Sequence, residues 1–230
     1  MAEESSPSSL TLLDFWPSPY GIRVRLALSL KDIPYTYKEE DLQNKSQLLL
    51  NSNPIHQQIP VLIHNNKPIS ESLIIIQYID ETWPDNPPKL MPDDPYERAR
   101  ARFWAVYVDK NVYELGRRVC LSHEGSHEER ERARGELCEC LKVLEGVLGE
   151  REYFGGVGLG LVDVCLVPFY AWFYAYERLG ELEMEGVCPK LVAWGRRCVG
   201  EERVGRVVPG QDRVYELIVE MINKKLRFDQ

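Results

Sequence analysis

The sequence predicts a small α/β domain followed by a larger all-helical domain. Residues 10–82 carry strand and helix signals in the order βαβ, a connection and then ββα, which makes a self-contained unit. Five prolines fall in the thirteen residues of WPDNPPKLMPDDP, a density typical of a linker. Strand signals end there, so we place the first domain at residues 10–82, a linker at 83–94 and a helical domain at 95–230.

The first domain opens with the apolar segment LTLLDF, which we predict as a strand from Leu10. Trp16 to Gly21 is predicted as a turn, and a helix is expected from Ile22 onward. The segment IRVRLALSLKD is ambiguous, because its apolar residues alternate as in a strand and also keep a four-residue helical spacing. Leu and Ala favour a helix, but periodicity alone leaves both structures open.

The remainder of the first domain contains two further strand signals and a helix. The segment IPYTYKEEDL predicts a second strand and a loop, and IPVLIHNNKPIS predicts a hairpin that turns at Asn65-Asn66. The segment ESLIIIQYIDETW predicts a helix of about three turns that ends before Pro84, because proline cannot continue a helix.

The second domain contains only segments that suit helices, and no internal repeat is evident. These segments are YERARARFWAVYVDKNVYELGRRVCL, HEERERARGELCECLKVLEGVL, GLVDVCLVPFYAWFYAYERLG, CPKLVAWGRRCV and QDRVYELIVEMINKKL. The charged run HEERERARGE is predicted to be a solvated helix face.

Composition and charge narrow the class of protein. The chain has 230 residues, 44% of them apolar and 28% charged, which suits a globular protein with a sizeable core. Its net charge of −8 argues against non-specific binding to nucleic acid or anionic membranes. No apolar run approaches the roughly 20 residues of a membrane span.

The ends and the cysteines point to a cytosolic protein. Residues 1–9 begin an acidic, Ser/Pro-rich stretch that we predict to be a short disordered tail and not a secretory signal. The six cysteines all lie in the second half of the chain, none in a C-x-x-C spacing, and we interpret them as reduced structural thiols. The four histidines show no metal-ligand spacing, and we assign no metal and no role to them.

Several long motifs, in the right order, carry a family resemblance that covers the chain after its first nine residues. They are DFWPSPYGIRVRLAL, YKEEDLQNKS, NPIHQQIPVLIHNNKPISESLIIIQYIDETW, RARFWAVYVDK and YFGG…LGLVDVCLVPFYAWF. With them the chain resembles the cytosolic glutathione transferases, and within that family the plant tau class. The resemblance implies a thioredoxin-like domain that binds glutathione, a helical domain that lines an electrophile pocket, a homodimer, and a helix after Gly21.

Ser18 is the reactive-site residue that the resemblance implies. The turn Ser18-Pro19-Tyr20-Gly21 resembles the Cys-Pro-Tyr-Cys turn of glutaredoxin-like chains, with both sulfurs absent. A serine hydroxyl cannot form a stable mixed disulfide with glutathione, but it can donate a hydrogen bond to the glutathione sulfur and favour its thiolate. From the residues alone, Ser18 could equally be a helix cap.

Two carboxylates and an ammonium on glutathione need partners in the first domain. In the family, Ser72 binds the γ-glutamyl carboxylate with its hydroxyl and its backbone N–H, Glu71 faces the γ-glutamyl ammonium, and Lys45 approaches the glycyl carboxylate. A helix start is a suitable anion site. Without the family, Ser72 or Ser70 would be read as an ordinary N-cap, Glu71 as a first-turn acid and Lys45 as a surface lysine.

Ile59-Pro60 opens the hairpin and completes the implied glutathione site. Family members hold this proline in the cis form, so that the main chain of Ile59 pairs with the cysteinyl backbone of glutathione. Many tau-class chains have Lys where this sequence has Gln58. A neutral amide can still bind a carboxylate, but it loses the charge-assisted part of the interaction, about 1 kcal/mol.

Five aromatic residues and one arginine are the candidates for the electrophile site. By resemblance, its lining residues are Phe15, Trp16, Tyr20, Tyr113, Arg117 and Trp172. For Trp172 a core position is an equally good interpretation, and for its helical neighbours Phe169, Phe173 and Tyr176 it is the better one. An apolar, aromatic lining fits flat hydrophobic electrophiles and broad specificity.

Asp163 is expected to be a folding residue. In Gly160-Leu161-Val162-Asp163 the carboxylate stands where a helix-capping box places it, although Gly160 supplies no capping side chain.

The sequence therefore favours a glutathione transferase that conjugates glutathione to hydrophobic electrophiles, with reduction of organic hydroperoxides as a second expected activity. It would use glutathione as co-substrate and no cofactor, and it would serve detoxification and stress responses in the cytosol. A thiol-disulfide enzyme such as a dehydroascorbate reductase is disfavoured, because the first domain contains no cysteine. A non-catalytic carrier of hydrophobic small molecules remains the alternative.

Overall fold

The computed structural model describes residues 9–121 and 126–228. Its chain divides into two compact units between Lys89 and Leu90. The predicted disordered tail lies, for residues 1–8, outside the described residues, as does His123. The functional assignment of residues 10–82, 83–94 and 95–230 stays a prediction.

The first unit is built on a four-stranded mixed sheet with strand order β2-β1-β3-β4. Its strands are β1 (Leu10–Asp14), β2 (Thr36–Glu39), β3 (Val61–His64) and β4 (Lys67–Ser70), and its helices are α1 (Pro19–Leu30), α2 (Gln47–Ser52) and α3 (Ser72–Thr82). Strand β1 pairs in parallel with β2 and antiparallel with β3, and β3 pairs antiparallel with β4. This confirms the predicted α/β thioredoxin-like class. The short helix α2 lies in what was predicted only as a connection.

Helix α1 occupies the segment whose periodicity was ambiguous. It begins at Pro19, three residues earlier than predicted, because Pro19 has no N–H to leave unsatisfied and Ser18 serves as the N-cap. Ten of its residues are buried, on all sides of the helix. A helix that is buried all round has no polar stripe, which explains why its sequence shows no clear helical pattern.

The hairpin between β3 and β4 turns where the sequence predicts. Asn65 and Asn66 have φ values of 48° and 64°, the left-handed pair that a two-residue type I′ turn requires and that asparagine tolerates well. The register sets Leu13, Val61 and Ser70 side by side on β1, β3 and β4. The end of β1, the start of β3 and the end of β4 therefore meet at one edge of the sheet.

A buried cation joins the far ends of α1 and α3. The Lys31 ammonium lies 2.9 Å from Asp80 Oδ1, with both side chains almost fully buried. It also donates to the carbonyl oxygens of Trp83 and Asn86 at 3.1 and 2.8 Å. With every ammonium hydrogen directed at an oxygen, the charge is compensated, and the segment after α3 is held against α1.

In the described part of the second unit the regular secondary structure is helical apart from one isolated bridge between Tyr153 and Gly156, as predicted for its fold class. Its helices are α4 (Pro95–Leu121), α5 (His127–Leu148), α6 (Leu161–Tyr170), α7 (Phe173–Gly180), α8 (Met184–Val187), α9 (Pro189–Gly200), α10 (Glu202–Gly205) and α11 (Gln211–Phe228). The short helices α8 and α10 were not predicted.

The segment GLVDVCLVPFYAWFYAYERLG is helical, as the sequence predicts, but it is divided into two helices. The chain forms α6 and α7, with a break at Ala171 and Trp172. Pro168 lies inside α6 and cannot donate a hydrogen bond to the preceding turn, which weakens the helix shortly before the break. Phe169, Phe173 and Tyr176 are at most 4% exposed, so the interpretation of these three as core residues is correct.

Asp163 accepts hydrogen bonds from several segments of the second unit. Its fully buried carboxylate accepts hydrogen bonds from the backbone N–H groups of Phe154, Gly155 and Gly160 and from the indole N–H of Trp194, all between 2.8 and 2.9 Å. Burial raises the pKa of Asp163, and these four donors oppose that shift. The carboxylate thus fixes the start of α6, the loop before it and α9 at one point.

Candidate active site

Ser18 is partly buried and caps α1 at the end of the sheet where β1 passes into that helix. Its Oγ accepts a hydrogen bond from the backbone N–H of Gly21 at 3.3 Å, and its own N–H donates to the carbonyl of Phe15 at 2.9 Å. A hydroxyl whose oxygen accepts still has its hydrogen to donate. The cap interpretation and the reactive-site interpretation are therefore compatible.

The loop before Ser18 is anchored on both sides of Trp16. Glu39, the last residue of β2, accepts from the Trp16 N–H at 3.2 Å. The Arg25 guanidinium, on α1, donates to the Trp16 carbonyl. Two charged side chains from different elements thus fix the peptide groups two residues ahead of Ser18.

Asp14 lies buried beneath the start of α1. Arg25 Nε is 3.0 Å from its Oδ2, but among the described residues neither carboxyl oxygen receives a well-aligned hydrogen bond. Burial raises the pKa of Asp14 from 3.8 to about 7, against the opposing charge of Arg25. The carboxyl packs directly on Gly21, where an added Cβ would lie 1.6 Å from Oδ1.

The start of α3 has first-turn N–H groups that no side chain caps. Glu71 is the N-cap residue. Neither Ser70 nor Ser72 is the cap, so that sequence-based alternative is wrong. Ser72 is the first helical residue, 5% exposed, and its Oγ accepts from Arg23 Nη1 at 3.3 Å. As at Ser18, a protein donor occupies the hydroxyl oxygen and leaves the hydrogen for a ligand.

Ile59 lies at the same edge of the sheet and has backbone groups without a hydrogen bond among those found in the described chain. The Ile59-Pro60 bond is cis, and Ile59 lies two residues before β3. Its N–H and C=O take part in none of the turn or loop hydrogen bonds found in the described chain, so both are available to an extended peptide. The neighbouring Gln58 is exposed, and its backbone carbonyl accepts from Asn53 Nδ2 at 2.9 Å.

Lys45 is half-buried and precedes α2. The next residue, Ser46, caps α2 and is itself held by the buried Glu40, whose Oε1 accepts from the Ser46 hydroxyl at 2.7 Å. Glu40 follows the last residue of β2. No ion pair of Lys45 with another described residue is found, which leaves its charge available to an anion.

In the second unit, Tyr113 and Trp172 come together. Their ring centroids are 6.3 Å apart in an edge-to-face arrangement, and the Tyr113 ring is also 6.5 Å from Phe169. Arg117 is exposed and forms a two-point ion pair with Glu114, at 3.0 and 2.8 Å. This pairing raises the pKa of Arg117 and lowers that of Glu114, so the guanidinium charge is partly neutralised within α4.

Comparison with known proteins identifies the family. Family models described as "Glutathione S-transferase, N-terminal domain" and "Glutathione S-transferase, C-terminal domain" match residues 8–81 and 103–202. The chain belongs to the glutathione S-transferase family. It is 55% identical over 207 residues to "Probable glutathione S-transferase parC" of Nicotiana tabacum, which covers 90% of this chain and 92% of that protein.

Solved structures agree and confirm the tau-class resemblance. Rice GST1 in complex with glutathione superposes with a TM-score of 0.90 at 46% identity, covering 96% of this chain and 99% of that one. The tau-class glutathione S-transferase of mango, Mangifera indica, superposes with a TM-score of 0.86 at 37% identity, covering 93% and 98%. This glutathione transferase is thus an enzyme of plant tau type, from a family that uses glutathione as co-substrate and is typically associated with detoxification and stress.

The thiols of this glutathione transferase are poorly suited to nucleophilic chemistry. The six cysteines are free, and five of them are buried. Burial raises the pKa of Cys120 and Cys188 to about 12 and that of Cys140 to about 11, which keeps these thiols protonated at neutral pH. In the described part of the chain no group of metal-ligating side chains is present, and no helix there is long and apolar enough to span a membrane.

Sequence reasoning missed the charged residues that support the transferase site. Arg23 is fully buried on α1 and reaches Ser72, and its guanidinium lies 4.9 Å from the centre of the Tyr20 ring. Glu39 and Arg25 hold the loop before Ser18, and Arg25 also lies 3.0 Å from the buried Asp14 carboxyl group. The available signal was a pair of arginines within an otherwise apolar buried segment, since such charges need a partner or a ligand.

Proposed function

We propose that this glutathione transferase conjugates the glutathione thiolate to hydrophobic electrophiles, with Ser18 as the residue that activates the thiol. The observation that carries the proposal is the geometry of Ser18: its oxygen accepts from the Gly21 N–H at the start of α1, and its hydrogen remains to donate. A thiolate beside it would also experience the positive end of the α1 dipole.

The decrease in the pKa of the glutathione thiol that the mechanism requires is modest. A free thiol with a pKa of about 8.5 is only about 3% ionised at pH 7. A decrease of about 2 pKa units would ionise about three-quarters of it, which corresponds to about 2.7 kcal/mol of differential stabilisation. One hydrogen bond to a charged group, worth about 1.5–3 kcal/mol, together with the helix dipole can supply this.

The glutathione subsite in the proposal follows the sheet edge. Ser72 and the uncapped N–H groups of α3 bind the γ-glutamyl carboxylate, Glu71 its ammonium, and the Ile59 main chain the cysteinyl backbone. Lys45 and Gln58 bind the glycyl carboxylate. What supports this is the register of β1, β3 and β4, which brings the ends of these strands together, and the unused backbone groups described above.

The electrophile contacts in the proposal are aromatic except for one arginine. They are Phe15, Trp16 and Tyr20 in the first unit and Tyr113, Arg117 and Trp172 in the second. Such a lining offers shape and apolar surface but few directional groups, which favours broad specificity and suits organic hydroperoxides as further substrates.

Replacement of Ser18 tests the proposed function. For Ser18→Ala we expect kcat/KM for glutathione with an aryl halide to fall about 100-fold, the equivalent of about 2.7 kcal/mol. Ser126→Ala is the matched control, because Ser126 caps α5 through the same kind of bond, from Glu129 N–H at 3.2 Å, and its loss should leave turnover unchanged. Full activity of Ser18→Ala would refute the mechanism. Absence of turnover in the unmodified protein, with retained binding of a hydrophobic dye, would favour the carrier function.

Gln58→Lys tests the proposed glycyl-carboxylate contact. Because the exposed amide carries no charge, we expect the lysine variant to bind glutathione more tightly, by about 1 kcal/mol at low salt, and to lose that gain at high salt. Titration calorimetry at two ionic strengths measures both quantities. Equal affinities of the two proteins at low and at high salt would place Gln58 outside the subsite.

The proposal includes a cytosolic homodimer. Three large side chains on α4, Tyr96, Phe103 and Val106, are 70%, 62% and 40% exposed. Their spacing of seven and ten residues from Tyr96 places them along one side of the helix. Exposed apolar side chains along one helix face are typical of a surface that a partner covers.

A further inference from the structure

His56 contacts Glu71, a residue of the proposed glutathione subsite, although His56 itself is not part of that subsite. Its Nδ1 lies 2.7 Å from Glu71 Oε1, and the two side chains are 53% and 52% exposed. A carboxylate offers only acceptors, so Nδ1 must carry the hydrogen and donate it. The contact links the loop before Ile59 to the N-cap of α3, which are 15 residues apart in sequence.

The loop that carries His56 is held by hydrogen bonds to the side chain of Asn53. Asn53 is 6% exposed, and its side chain bonds at both ends. Its Oδ1 accepts from the His56 N–H at 3.3 Å, and its Nδ2 donates to the Gln58 carbonyl at 2.9 Å. The Asn53 carbonyl accepts from the N–H of Gln57, which has a left-handed φ of 53°. His56 is therefore presented by an ordered loop.

Glu71 itself has an unusual backbone. Its φ is 73°, a region that non-glycine residues seldom adopt and that surrounding contacts must hold. An N-cap side chain commonly accepts a hydrogen bond from the first turn of its helix. The Glu71 side chain forms no such bond with α3. It is directed at His56. Within the described chain, Oε1 has the imidazole as partner, and no partner is found for Oε2.

We propose that His56 is a positioning residue for glutathione: it holds Oε1 of Glu71 and thereby leaves Oε2 oriented toward the γ-glutamyl ammonium. This inference rests on the proposed function, in which Glu71 binds that ammonium. Without His56, the Glu71 side chain would populate several rotamers. Binding of glutathione would then carry the entropy cost of ordering that side chain.

The test compares three variants by steady-state kinetics. In His56→Asn, the Nδ2 group stands where the imidazole Nδ1 stood, whereas His56→Gln and His56→Ala lack a donor at that point. We expect KM for glutathione to rise about three- to fivefold in the Gln and Ala variants and to stay near the unmodified value in Asn. The kcat at saturating glutathione and the KM for the electrophile should not change. A change in kcat alone, or equal effects of Asn and Gln, would overturn the inference.

A glutathione analogue without the γ-glutamyl amino group distinguishes the role of His56 from the role of Glu71. With this analogue, and in a Glu71→Gln background, the effect of His56→Ala should vanish, because no ammonium–carboxylate contact remains to be oriented. A persistent effect would show that His56 acts elsewhere. If Glu71→Gln leaves KM for glutathione unchanged, the proposed subsite is wrong. If Glu71→Gln raises KM and His56→Ala does not, only the role of His56 is wrong.

Discussion

Gly21→Ala is expected to destabilise the protein by about 3 kcal/mol and to abolish most of its turnover. The added Cβ would lie 1.6 Å from Oδ1 of Asp14 and 2.2 Å from its Cγ, far inside van der Waals contact. The Asp14 side chain is fully buried and lies 3.0 Å from Arg25 Nε, so it has no solvent space to enter. The start of α1 must move instead.

Turnover should fall for a geometric reason. The N–H of Gly21 donates to Ser18 Oγ, so a shift of Gly21 displaces the hydroxyl that the mechanism depends on. A misplacement of about 1 Å can lower a rate about 100-fold. Urea unfolding measures the stability, and kcat/KM of the folded fraction measures the displacement.

Two further variants make the Gly21 prediction specific. Gly146→Ala, at an exposed helical position with open space around its Cα, should stabilise the protein by about 0.5–1 kcal/mol. In an Asp14→Ala background the cost of Gly21→Ala should shrink, since the colliding carboxyl is gone. Additive effects of the two substitutions, or normal stability of Gly21→Ala alone, would contradict the described contact.

Asp163→Ala is expected to cost about 4 kcal/mol of unfolding free energy. Four N–H donors, from Phe154, Gly155, Gly160 and Trp194, converge on the carboxylate, and alanine would leave all of them buried without an acceptor. Asp163→Asn retains one acceptor oxygen but turns an NH₂ group toward the donors, so we expect an intermediate loss. Chemical denaturation of the soluble fraction gives both values.

Asp94 provides a control that distinguishes the Asp163 network from an ordinary helix cap. Asp94 is exposed and caps the start of α4, where its Oδ1 accepts from the Glu97 N–H at 2.9 Å. Asp94→Ala should cost only about 1 kcal/mol. In all three variants, kcat/KM of the folded protein should match that of the unmodified enzyme. A stable Asp163→Ala protein without turnover would show that the residue serves catalysis.

Local chemistry explains which elements were predictable. The Asn65-Asn66 turn and the limits of α5 follow from residues whose backbone preferences act over a few positions, and both were predicted. The start of α1 was predicted three residues too late because Pro19 suits both a turn and the first position of a helix. The break at Ala171 depends on how α6 and α7 pack, which no local pattern encodes.

The site shows the same division. The sequence predicts Ser18, Glu71 and Ser72 as site residues because a motif marks them, and their roles stay predictions. Their supports were not found, because Arg25 reaches Trp16 from the next turn of α1 and His56 reaches Glu71 across 15 residues of sequence. Such contacts exist only once the sheet has set its register.

The buried carboxyl of Asp14 couples folding to proton uptake. Because its pKa rises from 3.8 to about 7 in the folded protein, the native state holds a proton that the unfolded chain has already released between these two values. This group therefore favours the native state in mildly acidic solution, and its contribution declines as the pH rises from about 4 to about 7 and is constant above that. Most carboxylates act in the opposite sense, so Asp14 offsets part of the acid sensitivity that the remaining acidic residues confer.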